Sequence, residues 1–397
     1  MITVEQAEKI ILSRARDFGT ETIPFTAAPG RVLAADMVAD RDLPPYNRAT
    51  MDGIAINYAA FESGTRSFTI KATQAAGDVP IDIDRPGECI EIMTGAAVPS
   101  TTGTVVRYED VTMAKGMATI TIDHISPGQN IHPKGKDKKQ SETVASAHQY
   151  ITPALISMAA SLGLGMLAVK KLPRAVIISS GDELVEVTET PSPYQIRRSN
   201  NYTLQAILQQ HCLAADMLHI PDDPGVTQRQ LEACLQQYDV IIISGGVSMG
   251  KFDYVPAALE ALLVTPLFYK VQQRPGKPFW FGAHAGGTLV FALPGNPVSG
   301  FMCLHRYFLP WLRASLGVAP EAPLYAVLDG DVDFAPPLQY FLQVKLGSNR
   351  QGQLLATPIA GNGSGDFANL VDTDAFMELP AERDNFKKGE VFRVWKF

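Results

Sequence analysis

One segment concentrates residue types that handle anions: Ser244-Gly245-Gly246-Val247-Ser248-Met249-Gly250-Lys251-Phe252-Asp253-Tyr254. It ends the apolar run Val240–Ser244, which reads as a strand. Three chemistries compete for it. Gly245-x4-Gly250-Lys251 has the spacing of a phosphate-cradling P-loop, but Phe252 stands where a Mg²⁺-binding Ser or Thr is required. Gly246-x-Ser248-x-Gly250 has the spacing of a nucleophile elbow, whose triad would need an acid and then a histidine. His284 and His305 follow in the chain, without a recognisable triad context. The third reading is an anion nest, in which backbone N–H groups of Gly245 and Gly246 and the next helix N-terminus face a phosphate or oxyanion. Asp253 could then hold a metal bridging that anion. Against all three stands an ordinary Gly-rich turn with Asp253 as a helix N-cap.

Other segments carry complementary chemistry. Ser179-Ser180-Gly181-Asp182-Glu183 and Asp222-Asp223-Pro224 each follow an apolar run. Taken singly, Asp223 reads as a helix cap and Asp182–Glu183 as a solvated turn. With Asp253 they place acids at three strand ends, the composition of a Mg²⁺ site beside an anion nest. Leu293-Pro294-Gly295-Asn296-Pro297-Val298-Ser299 is a turn stiffened by two prolines, with Asn296 offering donor and acceptor. Lys270 and Arg274-Pro275-Gly276-Lys277-Pro278 add cations. Nests, carboxylates and cations at one rim suit a substrate bearing phosphate or an oxyanion.

The elements that must position these groups follow from periodicity. Apolar runs Ala175–Ser179, Ala214–Ile220, Val240–Ser244, Leu267–Val271 and Thr288–Ala292 alternate with helical stretches Asn200–Cys212, Pro224–Tyr238, Asp253–Leu263 and Pro297–Leu316. Strands alternating with helices imply βαβ units and a parallel sheet, whose strand C-termini bind ligands. The loops Ser180–Leu184, Pro221–Pro224, Gly245–Asp253 and Pro294–Ser299 should therefore converge. Upstream, Val4–Phe18 reads as a helix, and Pro29 to about Ala34 as a second short one. From Asp42 to about Ile125 short alternating runs (Ser67–Ala72, Glu88–Met93, Thr104–Tyr108, Met117–Ile122) indicate a β-rich domain, closed by the basic loop Lys134–Lys139. Pro153–Leu162 reads as a buried helix, Gly163 as its C-cap and Leu164–Lys170 as a strand. Leu324–Phe397 reads as a small β-barrel or sandwich.

Composition bounds the rest. The 397 residues, 46% of them apolar, suffice for two to three cores and exclude wholesale disorder. A net charge of −7 argues against a general nucleic-acid binder. Cys89, Cys212, Cys234 and Cys303 form no CxxC, a reducing-compartment pattern. Ile151–Val169 carries no charge, but Pro153, Gly163 and Gly165 break it as a membrane span. The expectation is a cytoplasmic chain without nucleic-acid or membrane partners.

Several motifs then occur in order: Leu43-Pro44-Pro45-Tyr46, Thr50-Met51-Asp52-Gly53-Ile54-Ala55, Met93-Thr94-Gly95-Ala96, Gly128-Gln129-Asn130-Ile131, Ser180-Gly181-Asp182-Glu183-Leu184, Ser244–Gly250, Pro275-Gly276-Lys277-Pro278 and Pro294-Gly295-Asn296-Pro297. In this the chain resembles the molybdopterin molybdenumtransferase family (MoeA type, also the E domain of gephyrin) along almost its whole length. The resemblance implies a multidomain α/β plus β fold. Its parts would be an extended linker and dimerisation domain (1–41 and 141–170), a β-rich domain (42–140), a doubly wound, mostly parallel sheet domain (171–320) and a C-terminal β-barrel (321–397).

It also implies insertion of molybdate into adenylylated molybdopterin, with Mg²⁺-assisted release of AMP, in a homodimer. Molybdopterin adenylyltransferase and molybdoenzyme-maturation proteins are then candidate partners. The family's essential positions fall on Asp52, Thr94, Asp137, Glu183, Asn200, Asp222, Asp253, Lys270, Pro294, Pro297 and Ser299. Of these, Asp52, Thr94, Asp137, Glu183, Asp222 and Asp253 are expected to be catalytic, and Glu183, Asp222 and Asp253 to bind metal. Asn200, Gly245, Gly246, Ser248, Lys270, Arg274, Lys277, Pro294, Asn296, Pro297 and Ser299 are expected to bind substrate. Departures from the family pattern are His132 for a usual Arg, Arg274 for a Lys and Ile54 for an aromatic, and Gly363-Ser364-Gly365 matches loosely. An adenylyltransferase-like activity or a phosphate-ligand-binding protein of the same sheet fold is the alternative, which the MDGIA segment and C-terminal β domain disfavour. A scaffold role would need a fused partner domain or long linker.

Overall fold

A computed structural model describes residues 1–246, 254–361, 363 and 365–397. The chain divides into two compact units: 1–34, 148–152 and 166–397 form the larger, and 35–147 with 153–165 the smaller.

The larger unit is built on a six-stranded sheet. Its strands are β1 (Ala175–Ser180), β2 (Ala215–Ile220), β3 (Val240–Ser244), β4 (Thr265–Tyr269), β5 (Trp280–Ala283) and β6 (Leu289–Leu293), in spatial order β2-β1-β3-β6-β5-β4. The run β2-β1-β3-β6 is parallel, whereas β5 and β4 join antiparallel at one edge. Sequence periodicity located β1, β2 and β3 within a residue at either end. It missed β5 altogether and set β4 two residues late. Every residue of β3 is buried, as continuous apolar strands of a covered parallel sheet should be.

Helices α1 (Ser199–Gln210), α2 (Pro224–Gln237) and α3 (Val255–Ala261) connect the parallel strands. Asp223 caps α2 as expected, its Oδ1 accepting from Val226 N at 2.7 Å. The long helix expected over Pro297–Leu316 is interrupted. Regular turns Pro297–Cys303 and Leu309–Ser315 flank a π-helical stretch, Leu304–Phe308. Pro310 accounts for the break: it lacks an N–H, and its ring excludes the usual carbonyl contact one turn back.

The first helix stops at Leu12 rather than Phe18. The short helix expected from Pro29 does not form. Val32 and Leu33 instead make bridges to Tyr150 and Val169, and a two-stranded ladder joins Thr20–Pro24 to Met166–Lys170. In the C-terminal region five strands close into a barrel: Gln339–Ser348, Leu354–Pro358, Leu324–Leu328, Val391–Lys396 and Ala375–Leu379. Leu328, Val344, Ala356, Met377 and Leu379 fill its core.

The smaller unit contains a six-stranded sheet in the order Thr104–Arg107, Gly53–Ile56, Glu88–Ile92, Ser67–Gln74, Met117–Ile120, Val111–Ala114. Helix Pro153–Ser161 also belongs to it, ending at Gly163 with φ +70°. Among the described residues no helix is long and apolar enough to cross a membrane.

Candidate active site

The polar site of the larger unit lies where its topology reverses. The connection from β1 leads outward to β2, and the next crosses back to β3, so β1 and β3 diverge at a switch point. There a cleft of about 590 Å³ opens, with Ser179, Ser180, Ser244, Gly245 and Asn296 on its walls. Asn200, in the first turn of α1, ties the rim together. Its Nδ2 donates to Ser244 Oγ at 2.9 Å and to Gly295 O at 2.7 Å. Backbone geometry explains the glycines. Gly181 has φ +135°, and a Cβ there would collide with the Glu183 carboxylate. Gly245 has φ +94°, and its N–H donates to Leu293 O at 3.2 Å. That amide is thus committed to the strand-end turn rather than offered to an anion.

The acidic loops meet as the strand order requires. Asp222 N donates to Asp182 Oδ1 at 3.0 Å, and Asp182 N to Asp222 Oδ2 at 3.4 Å. This reciprocal pair locks the turns after β1 and β2. Glu183 lines the cleft, and its backbone oxygen accepts from Ile196 N at 2.8 Å. Among the described residues, no group of three or more His, Cys, Asp or Glu side chains has a metal-binding arrangement. Asp253 and Ser248 lie outside the described residues. Next to the cleft, Ser179 Oγ lies 3.1 Å from His219 Nδ1. Burial, followed by the charge of Arg198, holds the His219 pKa below its ordinary value.

The structure gathers Glu183, Asn200, Gly245, Asn296 and Pro297 around this cleft. Pro294 and Ser299 are buried, with Ser299 N donating to Asn296 O at 3.1 Å. Gly246, with φ +66°, continues the β3 turn. Lys270 follows β4, which runs parallel to β3, so it lies at the same sheet edge but outside the cleft lining. Arg274 and Lys277 are exposed and also lie outside that lining. Their loop is braced by buried Gln273, whose Nε2 donates to Gly276 O at 3.0 Å and whose Oε1 accepts from Tyr307.

Among the cleft-wall residues that sequence reasoning missed are Arg197, Arg198 and Phe367. The available signal for the first two was a basic pair directly before the Ser199-Asn200 helix start. For Phe367 it was adjacency to Gly363–Gly365. The histidines weighed as triad partners also find places. His305 packs at a tilt against Phe301 and Phe397, at ring distances of 4.7 and 5.3 Å, and burial pushes its pKa down to about 3. His284 Nδ1 accepts from Gly286 N in a local turn.

The smaller unit holds the second group of expected residues. Asp52 Oδ1 accepts from Thr94 N at 2.6 Å and from Thr94 Oγ1 at 2.7 Å. The backbone bond first, then the hydroxyl, lower the Asp52 pKa. Asp137 Oδ1 lies 2.8 Å from His132 Nε2, so this departure supplies a partner for the acid. Both pairs hang on the two-residue strand Arg48–Ala49. That strand ladders with Ile131–His132, and Ala49 O accepts from Gly95 N at 2.8 Å. A shallower concavity of about 650 Å³ adjoins, lined by Met51, Arg107, His124 and Asn130 among others.

Comparison with known proteins agrees along the whole chain. Residues 2–163 match the family described as the MoeA N-terminal region (domain I and II). Residues 176–314 match the probable molybdopterin binding domain, and 325–397 the MoeA C-terminal region (domain IV). The molybdopterin molybdenumtransferase of Synechocystis sp. is 38% identical over 99% of both chains. That of Synechococcus elongatus is 31% identical over 94% of both. The crystal structure of the molybdopterin biosynthesis MoeA protein from Pyrococcus horikoshii superimposes with a TM-score of 0.85 at 26% identity, covering 100% of both chains.

Proposed function

The chain belongs to the molybdopterin molybdenumtransferase family, transferases of molybdenum cofactor biosynthesis, and on that premise we propose that it inserts molybdate into adenylylated molybdopterin and releases AMP with Mg²⁺ assistance. The observation that carries this reading is the cleft at the β1/β3 switch point, where Asn200, Asn296 and Glu183 share one rim. Molybdopterin and molybdate are substrates.

The donor chemistry fits Mg²⁺. Glu183 and Asp222 offer hard carboxylate oxygens, and Mg²⁺ commonly takes one or two carboxylates together with substrate phosphates and water. Glu183 and Asp222 would hold the ion, with Asp253 as the third expected ligand. Bound there, it would supply charge neutralisation for the substrate phosphates. The chain's own groups then have separable tasks. Asn200 fixes the spacing of the β3 and β6 turns around the ligand. The Asp182–Asp222 exchange holds the second carboxylate in place. Asp52 stays ionised and orients the Thr94 hydroxyl, and His132 orients Asp137.

The same reading takes the chain as a cytoplasmic homodimer. In it Lys270, Arg274, Lys277, Gly246, Pro294, Pro297, Ser248 and Ser299 bind or support the substrate. The partner subunit would bring the Asp52, Thr94 and Asp137 set into the reaction. Substrate would arrive from the adenylyltransferase, and product would pass to maturation proteins of molybdoenzymes. The test is AMP release from adenylylated molybdopterin upon molybdate addition, with and without Mg²⁺. AMP release independent of molybdate overturns the insertion reading, and indifference to chelation overturns the Mg²⁺ assignment. Asp52→Ala and Asp253→Ala should each be inactive, and mixed heterodimers should regain up to about half of the sites. No recovery, while wild type survives the same subunit exchange, overturns the shared site.

A further inference from the structure

The strand-end cleft has two chemically different walls. Its floor is polar, made of Ser179, Ser180, Ser244 and Asn200. At its mouth Ile196 comes from the segment after β1, and Phe367 from a short 3-10 turn of the C-terminal region. Ile196 is 60% exposed and Phe367 52% exposed. Open apolar side chains normally scatter singly over a surface. Here two from unrelated segments share one concavity.

The turn carrying Phe367 is fixed from behind. Asn369 Nδ2 donates to Ala360 O and to Asp366 Oδ2, each at 3.0 Å, and Leu370 packs against the main core. The phenyl ring therefore sits on a firm platform while half of its surface stays open. Arginines line the cleft beside it. Arg197 Nε donates to Glu189 O at 3.1 Å, and Arg198 is ion-paired with Glu186.

We propose that Phe367 is a specificity-determining residue of this cleft, receiving the flat face of a fused nitrogen heteroaromatic ring while Arg197 faces the attached phosphate. This rests on the functional reading above, which supplies two such rings, adenine and pterin. The physical reason is that a π-face packs on any flat heteroaromatic system without needing hydrogen-bond readout, and a neighbouring guanidinium adds charge for phosphate.

The test is calorimetric titration of the full chain with AMP, ribose 5-phosphate and 6-hydroxymethylpterin, in wild type and in Phe367→Ala, Phe367→Leu and Phe367→Trp. Phe367→Ala should weaken at least one ring-bearing probe roughly tenfold, with Leu intermediate and Trp near wild type. Ribose 5-phosphate should change by less than about twofold, since it carries no aromatic ring to stack. Loss for AMP alone assigns adenine, and loss for the pterin alone assigns pterin. The proposal is overturned if both ring probes bind Phe367→Ala as they bind wild type, if ribose 5-phosphate weakens in parallel, or if no ring probe binds wild type saturably. Should Phe367→Ala fold poorly by circular dichroism, Phe367→Leu against Phe367→Trp makes the same comparison. Molybdate-dependent AMP release by wild type is measured separately. Its absence beside Phe367-dependent ring binding defeats the functional reading and leaves the ring site standing.

Discussion

The cleft of the larger unit and the acidic pairs of the smaller one solve the same problem by different means. In the larger unit polar groups are joined across elements far apart in sequence: Asn200 bonds Ser244 and Gly295, and Asp182 bonds Asp222. Their positions follow from sheet topology. In the smaller unit Asp52 with Thr94, and Asp137 with His132, hang on one two-residue strand. Their geometry depends on a few local bonds. The first site should therefore fail by losing its architecture, and the second by losing single contacts.

The largest effect expected is on Glu183. Glu183→Gln preserves shape but removes the charge proposed to meet Mg²⁺, so turnover should fall at least about 100-fold, or about 2.7 kcal/mol in barrier. Melting temperature should stay near wild type. Steady-state AMP release at several Mg²⁺ concentrations checks it, and an unchanged rate and Mg²⁺ dependence removes Glu183 from the chemistry. Next comes Asn200→Ala, which leaves Ser244 and Gly295 without their shared donor. Two lost bonds of about 1 kcal/mol each should lower stability by about 2 kcal/mol and raise KM. An effect on kcat alone would contradict the architectural role.

The sequence revealed these two regions unequally. β1 and β3 were legible because strands covered on both faces are continuously apolar, and strand ends of such a sheet predict where ligands go. Glu183, Asp222 and Asn296 followed from that. β5 was not legible: Trp280–Ala283 is short, contains Gly282 and forms a hairpin with β6 that mimics a loop. The helix expected at Pro29 fails because Val32 and Leu33 have backbone partners elsewhere in the chain, which local start signals ignore. Asp52, Thr94 and Asp137 came only from family resemblance, since a turn acid and a strand-end hydroxyl look ordinary alone. Phe367 and Arg197 left only a faint local signal, because tertiary packing, not spacing, turns them toward the cleft.

Acidity should separate the two units as well. The folded state keeps His305 neutral down to about pH 3, whereas its ordinary pKa is 6.5. The unfolded chain therefore binds more protons below 6.5, and stability falls as pH drops through that window. At pH 5 the loss is about 2 kcal/mol, from about 1.4 kcal/mol for each of about 1.5 pH units. Asp52 has the same sign of dependence in a lower pH window. Its pKa is lowered from 3.8, so its contribution is present above 3.8 and is lost only as pH falls below it. Between pH 6.5 and 5, hydrogen exchange should accelerate in the larger unit and not around Asp52. His305→Phe should flatten the slope of urea midpoint against pH, and an unchanged slope would assign the loss to other groups.

The smallest effect expected, Thr94→Val, gives the sharpest test of the local site. Valine keeps the shape and retains the Thr94 N–H bond to Asp52 Oδ1, which is the larger cause of the lowered carboxylate pKa. It deletes only the hydroxyl bond at 2.7 Å. At an exposed, solvent-screened position that bond is weak, so the rate should drop only about fivefold. The Asp52 pKa, followed by carboxyl ¹³C chemical shift, should rise but stay below 3.8. Asp52→Asn supplies the contrast. Its Oδ1 can accept both Thr94 donors, so it preserves the geometry and removes only the charge. If Asp52→Asn is as slow as Asp52→Ala while Thr94→Val loses only severalfold, the charge of Asp52 carries the function and Thr94 positions it. If Asp52→Asn works like wild type, the pair is a structural turn, and the chemistry belongs to the strand-end cleft alone.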